Sequence, residues 1–433
     1  MRLTALAILS IMFLSAAGCD RTNLPDGGTY VSIKNSLVEH LDKEVLPFWV
    51  SDKLNDESHG GYLPYLDKSL LATGKVERHV IVQLRLLYVH AVAINRMAGD
   101  PLKNRLRRQY LRKFELLKTQ YWDKKNGGFF NYPADHKGRP LDSLKETRVQ
   151  VHAIYFLTES YILVGHQEAL KLAKTVFSLA DATGHDPVYG GYRSYYELSQ
   201  DHTRNGMKSL GIQMHMLLAL SRLYQTTPER AYKDRAHEIA EILMSRFEIP
   251  GSHGNVYNAL TYDWQEIHDD GTLDTKIVYG HSAELIWYVI ENARVFQRDV
   301  QSLRPWLIRL ADALLASGVS SSGAVYWTGA YRSAAANKTV WWWAQAETMI
   351  ALLRVYEVTG DKKYWKAFEK VRTWTFRHVV PDHSGTWVAF TDRWGLRRAP
   401  IRAGGYWQSG FHVARALLQC TQALDRIMAD GRT

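Results

Sequence analysis

A glycine-centred turn recurs six times along the chain, and this periodicity limits the fold more than any other feature. It reads HGGYLPYLD at 59–67, NGGFFNYPAD at 126–135 and YGGYRSYYE at 189–197. Looser copies follow as HGNVYNALTYD at 253–263, SGAVYWTGAYR at 322–332 and SGTWVAFTDR at 384–393. The residue after the first glycine falls at 61, 128, 191, 255, 324 and 386, so the units are 67, 63, 64, 69 and 62 residues apart. Repeats of such even length are stacked copies of one supersecondary unit. Each turn precedes a segment with helical apolar spacing, at 79–97, 149–164, 208–225, 277–296, 340–357 and 405–426. A more charged set lies between them, at 101–121, 167–183, 228–247, 299–317 and 361–380. Two of these begin at Asp100-Pro101 and Thr227-Pro228, which read as a capping side chain before a first-turn proline. The segment 29–50 supplies the sixth member and closes the ring against the last helix. The pattern predicts an all-α fold, an (α/α)6 toroid of six helical hairpins. The apolar helices form its inner ring, and residues 29–433 make a single domain.

The first residues carry an address. MRLTALAILSIMFLSAAGC has one positive charge, then an apolar run too short to span a bilayer, then small residues before Cys19. Ala16-Ala17-Gly18-Cys19 resembles a bacterial lipoprotein cleavage box. Residues 1–18 are therefore expected to be a signal peptide, and 19–28 a lipid anchor at Cys19 with a polar tether. The expected location is the periplasmic side of a membrane, with the lipid as the sole membrane contact. Only two cysteines, Cys19 and Cys420, are present, which excludes a disulfide framework and a cysteine-built zinc site. The net charge of +10 leaves an anionic partner open. Its basic residues are spread over the outer segments rather than interleaved with aromatics, which argues against nucleic acid.

Equivalent positions of a closed repeat lie at similar depth around one cavity. Counting 24, 24, 24, 26, 23 and 26 residues from the successive turns reaches Arg85, His152, His215, His281, Glu347 and His412. Four of these follow a glutamine two places earlier: Gln83, Gln150, Gln213 and Gln345. The glutamines suit a repeated scaffold. The variation among Arg, His and Glu at the third place suits a ligand-lined cavity. Imidazoles that titrate near neutrality serve as acid and base. A metal is not expected, because no histidine pair shows the four-residue helical spacing of zinc sites, and no cofactor is expected either. Aromatic residues crowd the same depth, drawn from 14 Trp and 24 Tyr in the chain. Consecutive residues on a helix face different directions, so at most one or two of Trp341-Trp342-Trp343 can face the cavity. Trp343 and Trp407 are the expected stacking partners for a sugar, and Trp341 and Trp342 are expected in the packing.

Several of these segments match a known family. Tyr279-Gly280-His281-Ser282-Ala283-Glu284 resembles the YGHDxE helix of the N-acylglucosamine 2-epimerase and cellobiose 2-epimerase superfamily. Trp342-Trp343-Ala344-Gln345-Ala346-Glu347 is similar to its WWxQAE motif, and Lys208 to His215 to its KSxNxHxH helix. Trp407 to His412 resembles the closing WKxPYH, and Gln83-Leu84-Arg85 the early QxR. The resemblance runs in order along the whole chain after the leader. It implies inversion or isomerisation at C2 of a reducing-end sugar, a mono- or disaccharide, through a cis-enediolate. By motif, His281 and His412 would be the acid/base pair on opposite walls, and His215 would assist ring opening. Arg85 would hold the enediolate oxygens, and Glu284 would orient the neighbouring histidine. Trp343 and Trp407 would stack on the sugar, and Glu347 and Gln345 would either bind it or support the residues that do. The chain departs from the pattern at Gly211, Gln213, Gln408, Gly410 and Phe411, and His152 replaces a usual aromatic; these changes bear on the substrate. Two other readings stand beside this one. The first is a glycoside hydrolase or polysaccharide lyase on the same toroid, using Glu284 and Glu347 as its carboxylates. The second is a non-catalytic carbohydrate-binding lipoprotein.

Overall fold

The computed structural model describes residues 30–55, 61–62, 78–97, 99–133, 145–194, 207–268, 271–331, 337–381, 384–396 and 407–430. The leader, Cys19 and the tether lie outside the described residues. Among these, thirteen α-helical segments form twelve rods, because the first two run on through a π-helical turn. They are α1 (Tyr30–His40, continued through Leu41–Val45 and Leu46–Trp49), α2 (Val80–Arg96), α3 (Asp100–Leu116) and α4 (Thr147–Val164). Next come α5 (Gln167–Gly184), α6 (Leu210–Thr226), α7 (Arg230–Arg246) and α8 (Tyr279–Val295). The rest are α9 (Arg304–Ala313), α10 (Trp342–Thr359), α11 (Lys362–His378) and α12 (Phe411–Ala429).

Each even-numbered helix packs on the next, and α12 returns to α2, so the inner ring closes; α1 packs on α12 as the last outer member. The (α/α)6 toroid expected from the repeat is therefore the fold. Sequence explains the layering. α10 buries every residue from Trp342 to Thr359, the signature of a helix surrounded by others. α11 buries Tyr364, Phe368, Val371 and Trp374 while its other faces carry charge, which is the single stripe of an outer helix. The proline-marked starts differ from expectation. Gly99 is the N-cap before Asp100 and Pro101, and the helix after Pro228 begins only at Arg230, capped by Glu229.

The glutamines pin the turns to the inner helices. Gln83 accepts from the Tyr62 amide at 2.8 Å and donates to its carbonyl at 3.2 Å. Gln150 holds Phe129 in the same way, at 2.8 Å each, and Gln213 holds Tyr192 at 2.9 and 2.5 Å. Gln408 donates to the Trp387 carbonyl. These clamps satisfy backbone groups that would otherwise be buried without partners. The paired glycines are needed because their backbones are left-handed, with φ of 73° and 81° at Gly127 and Gly128.

Two small sheets, not anticipated from the sequence, sit on one end of the ring. β1 (Met207–Ser209) pairs antiparallel with β2 (Ala259–Thr261). β3 (Lys276–Val278), β4 (Tyr326–Ala330), β5 (Asn337–Trp341) and β6 (Phe390–Thr391) form a four-stranded antiparallel sheet in that order. β1, β3 and β5 run straight into the inner helices α6, α8 and α10, so the sheets fix where those helices begin. No described helix is long and apolar enough to cross a membrane.

Candidate active site

The N-terminal ends of the inner helices surround a cavity of about 370 Å³, within the size range of small-molecule sites. His152, His215, His281 and His412 all reach it, as do Arg85, Glu284, Trp343 and Trp407.

His281 and His412 share one construction. Nδ1 of His281 pairs with Asn258 Oδ1 at 2.7 Å, and Nδ1 of His412 with Glu347 Oε1 at 2.7 Å. When Nδ1 carries the proton, Nε2 is left as the basic nitrogen of each ring. Both rings pack on the Trp343 indole, with centres 5.3 and 5.6 Å from it. They stand on α8 and α12, two places apart in the inner ring, and flank the Trp343 indole that α10 sets between them. Burial lowers His281 to about 4 against the partial opposition of Glu284. Burial also lowers His412 to about 3, although the Glu347 hydrogen bond pulls the other way. Both rings are therefore neutral near pH 7.

His215 bonds its Nδ1 to the Gly211 carbonyl at 2.7 Å and stacks on His152, ring centres 4.7 Å apart. Burial and the Arg415 charge lower it to about 3. Glu284 lies 3.8 Å from His215 Nε2. Glu284 was expected to orient a neighbouring histidine; the one it approaches is His215 on the next inner helix, while Asn258 holds His281. Arg85 donates to the Trp407 carbonyl at 2.9 Å, and its guanidinium lies 5.3 Å from the Trp407 ring and 5.4 Å from that of Phe411. Burial and nearby Arg415 lower it to about 10, and it remains a cation.

Beneath the cavity floor lies a network that the sequence reading missed. Arg415 Nη2 donates to Glu284 Oε1 at 2.8 Å and to Glu347 Oε1 at 2.7 Å, while Nη1 donates to the Tyr288 hydroxyl at 2.7 Å. Trp287 adds a bond to Glu347 Oε2 at 3.0 Å. Burial alone would raise Glu347, but Arg415 and the His412 contact outweigh it and hold the group at about 2. Burial and the Glu347 charge push Glu284 the other way. Glu284, Glu347 and His412 place donor atoms within 4.8 Å of one another, as a metal would require. The Arg415 guanidinium already bridges both carboxylates, so a cation's place there is filled by the protein itself.

Of the two roles open to Gln345 and Glu347, the structure favours support over sugar contact. Gln345 is fully buried and reaches back towards the turn, accepting from the Val325 amide at 3.3 Å; it is part of the scaffold. Glu347 is likewise fully buried and acts on His412 rather than facing the cavity. Trp341, Trp342 and Trp343 all line the cavity. This exceeds the helical limit because Trp341 ends β5 and only the next residue begins α10. Of the departures, Gln213 and Gln408 are turn clamps, Gly410 caps α12 with φ of 70°, and Phe411 packs under Arg415 at 4.3 Å. At Gly211 a notional Cβ would lie 3.9 Å from His281 Cε1, in ordinary van der Waals contact with that ring.

A closed ring of helical hairpins around a cavity of imidazole, guanidinium and indole defines a carbohydrate-active toroid. The profile of the N-acylglucosamine 2-epimerase (GlcNAc 2-epimerase) family matches residues 60–416. The chain belongs to that family and is an enzyme of the carbohydrate epimerase and isomerase class. It is similar to a cellobiose 2-epimerase of Dictyoglomus turgidum, 23% identical over 91% of this chain and 99% of that protein. The structure of a cellobiose 2-epimerase from Bacillus thermoamylovorans B4167 superposes with a TM-score of 0.78 at 22% identity, covering 90% of this chain and 99% of that one. A D-mannose isomerase structure gives 0.79 at 18% identity, covering 90% and 98%. These two structures share the fold.

Proposed function

We propose that this protein is a 2-epimerase of a reducing-end sugar, with His281 and His412 as its two acid/bases. The observation that carries the reading is the pair of imidazoles, each fixed through Nδ1 by a side-chain acceptor, flanking one indole in a single cavity. His215 stands beside them to move protons during ring opening. One neutral imidazole takes the C2 proton and leaves a cis-enediolate. The other takes up a proton from cavity water and delivers it to C2 on the opposite face, and the imidazolium formed in the first step returns its proton to the hydroxide left behind, which yields the epimer and two neutral rings. Arg85 supports the negative oxygens of the intermediate, and Trp343 and Trp407 stack on the sugar. The names of the relatives suggest cellobiose or mannose as first substrates. Return of the proton to C1 would make the same site an aldose–ketose isomerase.

The hydrolase reading is less well supported. Glu284 and Glu347 are both tied to Arg415, so neither is a free acid facing a glycosidic bond. The direct test incubates the purified protein with a panel of reducing sugars in heavy water and follows deuterium at C2. Exchange and a new epimer are expected with at least one sugar. A panel with no exchange would leave the non-catalytic sugar-binding reading.

Because the bases must be neutral to act, kcat/KM should fall only as pH drops to about 4, where His281 protonates. It should show no inflection near the ordinary histidine value of about 6.5. A pH-rate profile checks this, and an acid limb centred near the ordinary value would contradict it.

We also propose the lipoprotein route for residues 1–19, on the strength of Ala16-Ala17-Gly18-Cys19. Expressed in a Gram-negative host, the natural chain should fractionate with membranes, and Cys19→Ala should release it. Equal partitioning of the two would remove the anchor.

A further inference from the structure

The basic residues expected to be spread over the outer segments gather on two of the six outer helices. α3 carries six Lys and Arg against two acidic residues, and α11 carries six against one. Every other outer helix balances to within one charge, so the excess on these two is close to the +10 of the whole chain. They are the two neighbours of α1. On one side, Tyr30 and His40 of α1 pack on Trp365 and Phe376 of α11, with ring centres 4.6 and 5.3 Å apart. On the other, Asp52 just past α1 pairs with Arg105 of α3 at 3.4 Å. Arg107, Arg108 and Arg112 of α3 and Lys362, Lys366 and Lys370 of α11 are exposed, and they form no ion pair among the described residues. Two exposed apolar side chains stand with them, Leu111 on α3 at 48% and Val31 on α1 at 53%.

This sector is also where the chain enters the ring, at the end away from the cavity. Tyr30 meets Tyr356 at 2.7 Å, and Lys34 pairs with Asp425. Tyr356 and Asp425 lie about 20 Å along α10 and α12 from Trp343 and His412. α3 and α11 begin at the same end, because each follows directly on the last turn of an inner helix.

We propose that this end of the ring rests on an anionic phospholipid surface, with the first turns of α3 and α11 against the head groups and the cavity mouth turned to solution. The inference rests on the anchor reading of residues 1–19 for the chain's place at a membrane, and it adds a protein contact to the lipid. Cys19 and Tyr30 are separated by ten residues, at most about 40 Å of extended chain, so a lipid on Cys19 would keep this end near the surface. Unpaired guanidinium and ammonium groups find in phosphate head groups the counter-charge that the protein does not give them. Leu111 and Val31 suit the boundary just beneath the head groups. A nucleic acid would meet the same charges but leave those two side chains in water.

The test uses the unlipidated chain from Asp20 onward, which keeps every described residue, so the state of Cys19 does not enter. Co-sedimentation is measured with vesicles of mixed phosphatidylglycerol and phosphatidylcholine, and with vesicles of phosphatidylcholine alone. Binding to the anionic vesicles should be at least about tenfold tighter and should fade as added salt shortens the screening length. Arg107→Glu, Arg108→Glu, Lys362→Glu and Lys366→Glu together should weaken it at least about a hundredfold, since each basic group at such a surface is worth about fivefold. Lys171→Glu, Arg230→Glu, Lys233→Glu and Arg246→Glu make the same change in net charge at exposed positions of α5 and α7, and should weaken it less than about tenfold. Two sets that weaken binding alike would trace it to net charge and overturn the proposed face, as would equal affinity for both kinds of vesicle. Affinity for a random-sequence DNA duplex as high as for the anionic vesicles would overturn the lipid assignment. Mass spectrometry of the natural chain reads Cys19 separately: a bare cysteine there fails the anchor alone, and absent vesicle binding fails this surface alone.

Discussion

His281→Ala and His412→Ala should each lower the rate of epimer formation by about 10²–10⁴-fold, the usual contribution of a positioned acid or base. The double variant should be little worse than the poorer single one, since either loss breaks the same proton exchange. The two rings are built alike and share the Trp343 face, so neither has a substitute in its own position. His215 cannot replace either, because it is turned to Gly211 through Nδ1 and lies against Tyr288 and His152. NMR of the product sugar, with the fold checked by circular dichroism, gives the result. If either variant kept activity within threefold of the natural chain, the two-imidazole assignment would be wrong.

Arg415→Met should be the most damaging change outside the cavity wall, costing about 3–5 kcal/mol of stability. The guanidinium is 1% exposed and holds two carboxylates that are buried as deeply, so its removal strands negative charge away from water. Much of that loss should be recovered in the pair Arg415→Met with Glu284→Gln, which removes one of the stranded charges. Urea denaturation of the single and double variants measures the coupling. Additive losses would show that the carboxylates do not depend on Arg415. A second effect follows at His412. Without Arg415, Glu347 loses the charge that keeps it ionised, so it should bind a proton at higher pH than in the natural chain. The acid limb of the remaining activity should shift with it.

The toroid was legible because turn, glutamine and inner helix repeat in register, and six copies of a weak signal make a strong one. The same counting found Arg85, His152, His215, His281 and His412 at one depth. It stopped at that tier, and the omissions are regular. Three residues farther along each inner helix lies a second tier, which contains Glu284 and Arg415, and their ion pair joins α8 to α12. Three residues after each turn anchor lie Ser194, Asn258 and Trp327, all of which line the cavity. Asn258 could have been found by applying to the turns the register that was applied to the helices. Their motif leaves Gln345 and Glu347 between sugar contact and support. Depth alone does not say which way a side chain turns on a helix buried on every side. The four-stranded sheet was hidden for another reason. Its strands are two to five residues long, too short for alternation to stand out, and Trp341, the first tryptophan of the run, was assigned to a helix that begins one residue later.

The closing contact of the ring joins the most distant parts of the sequence. Lys34 on α1 meets Asp425 on α12 across 391 positions, and Tyr30 meets Tyr356 across 326. Hairpins within the ring can form locally and early, whereas this seam carries the largest loop-closure entropy in the molecule. One of the two imidazoles, His412, is on the helix that makes it. During synthesis α12 follows every other helix of the ring, so a nascent chain can assemble most of the toroid before His412 is available. On the two-imidazole proposal, the order of translation therefore completes the base pair only after the rest of the ring has been made.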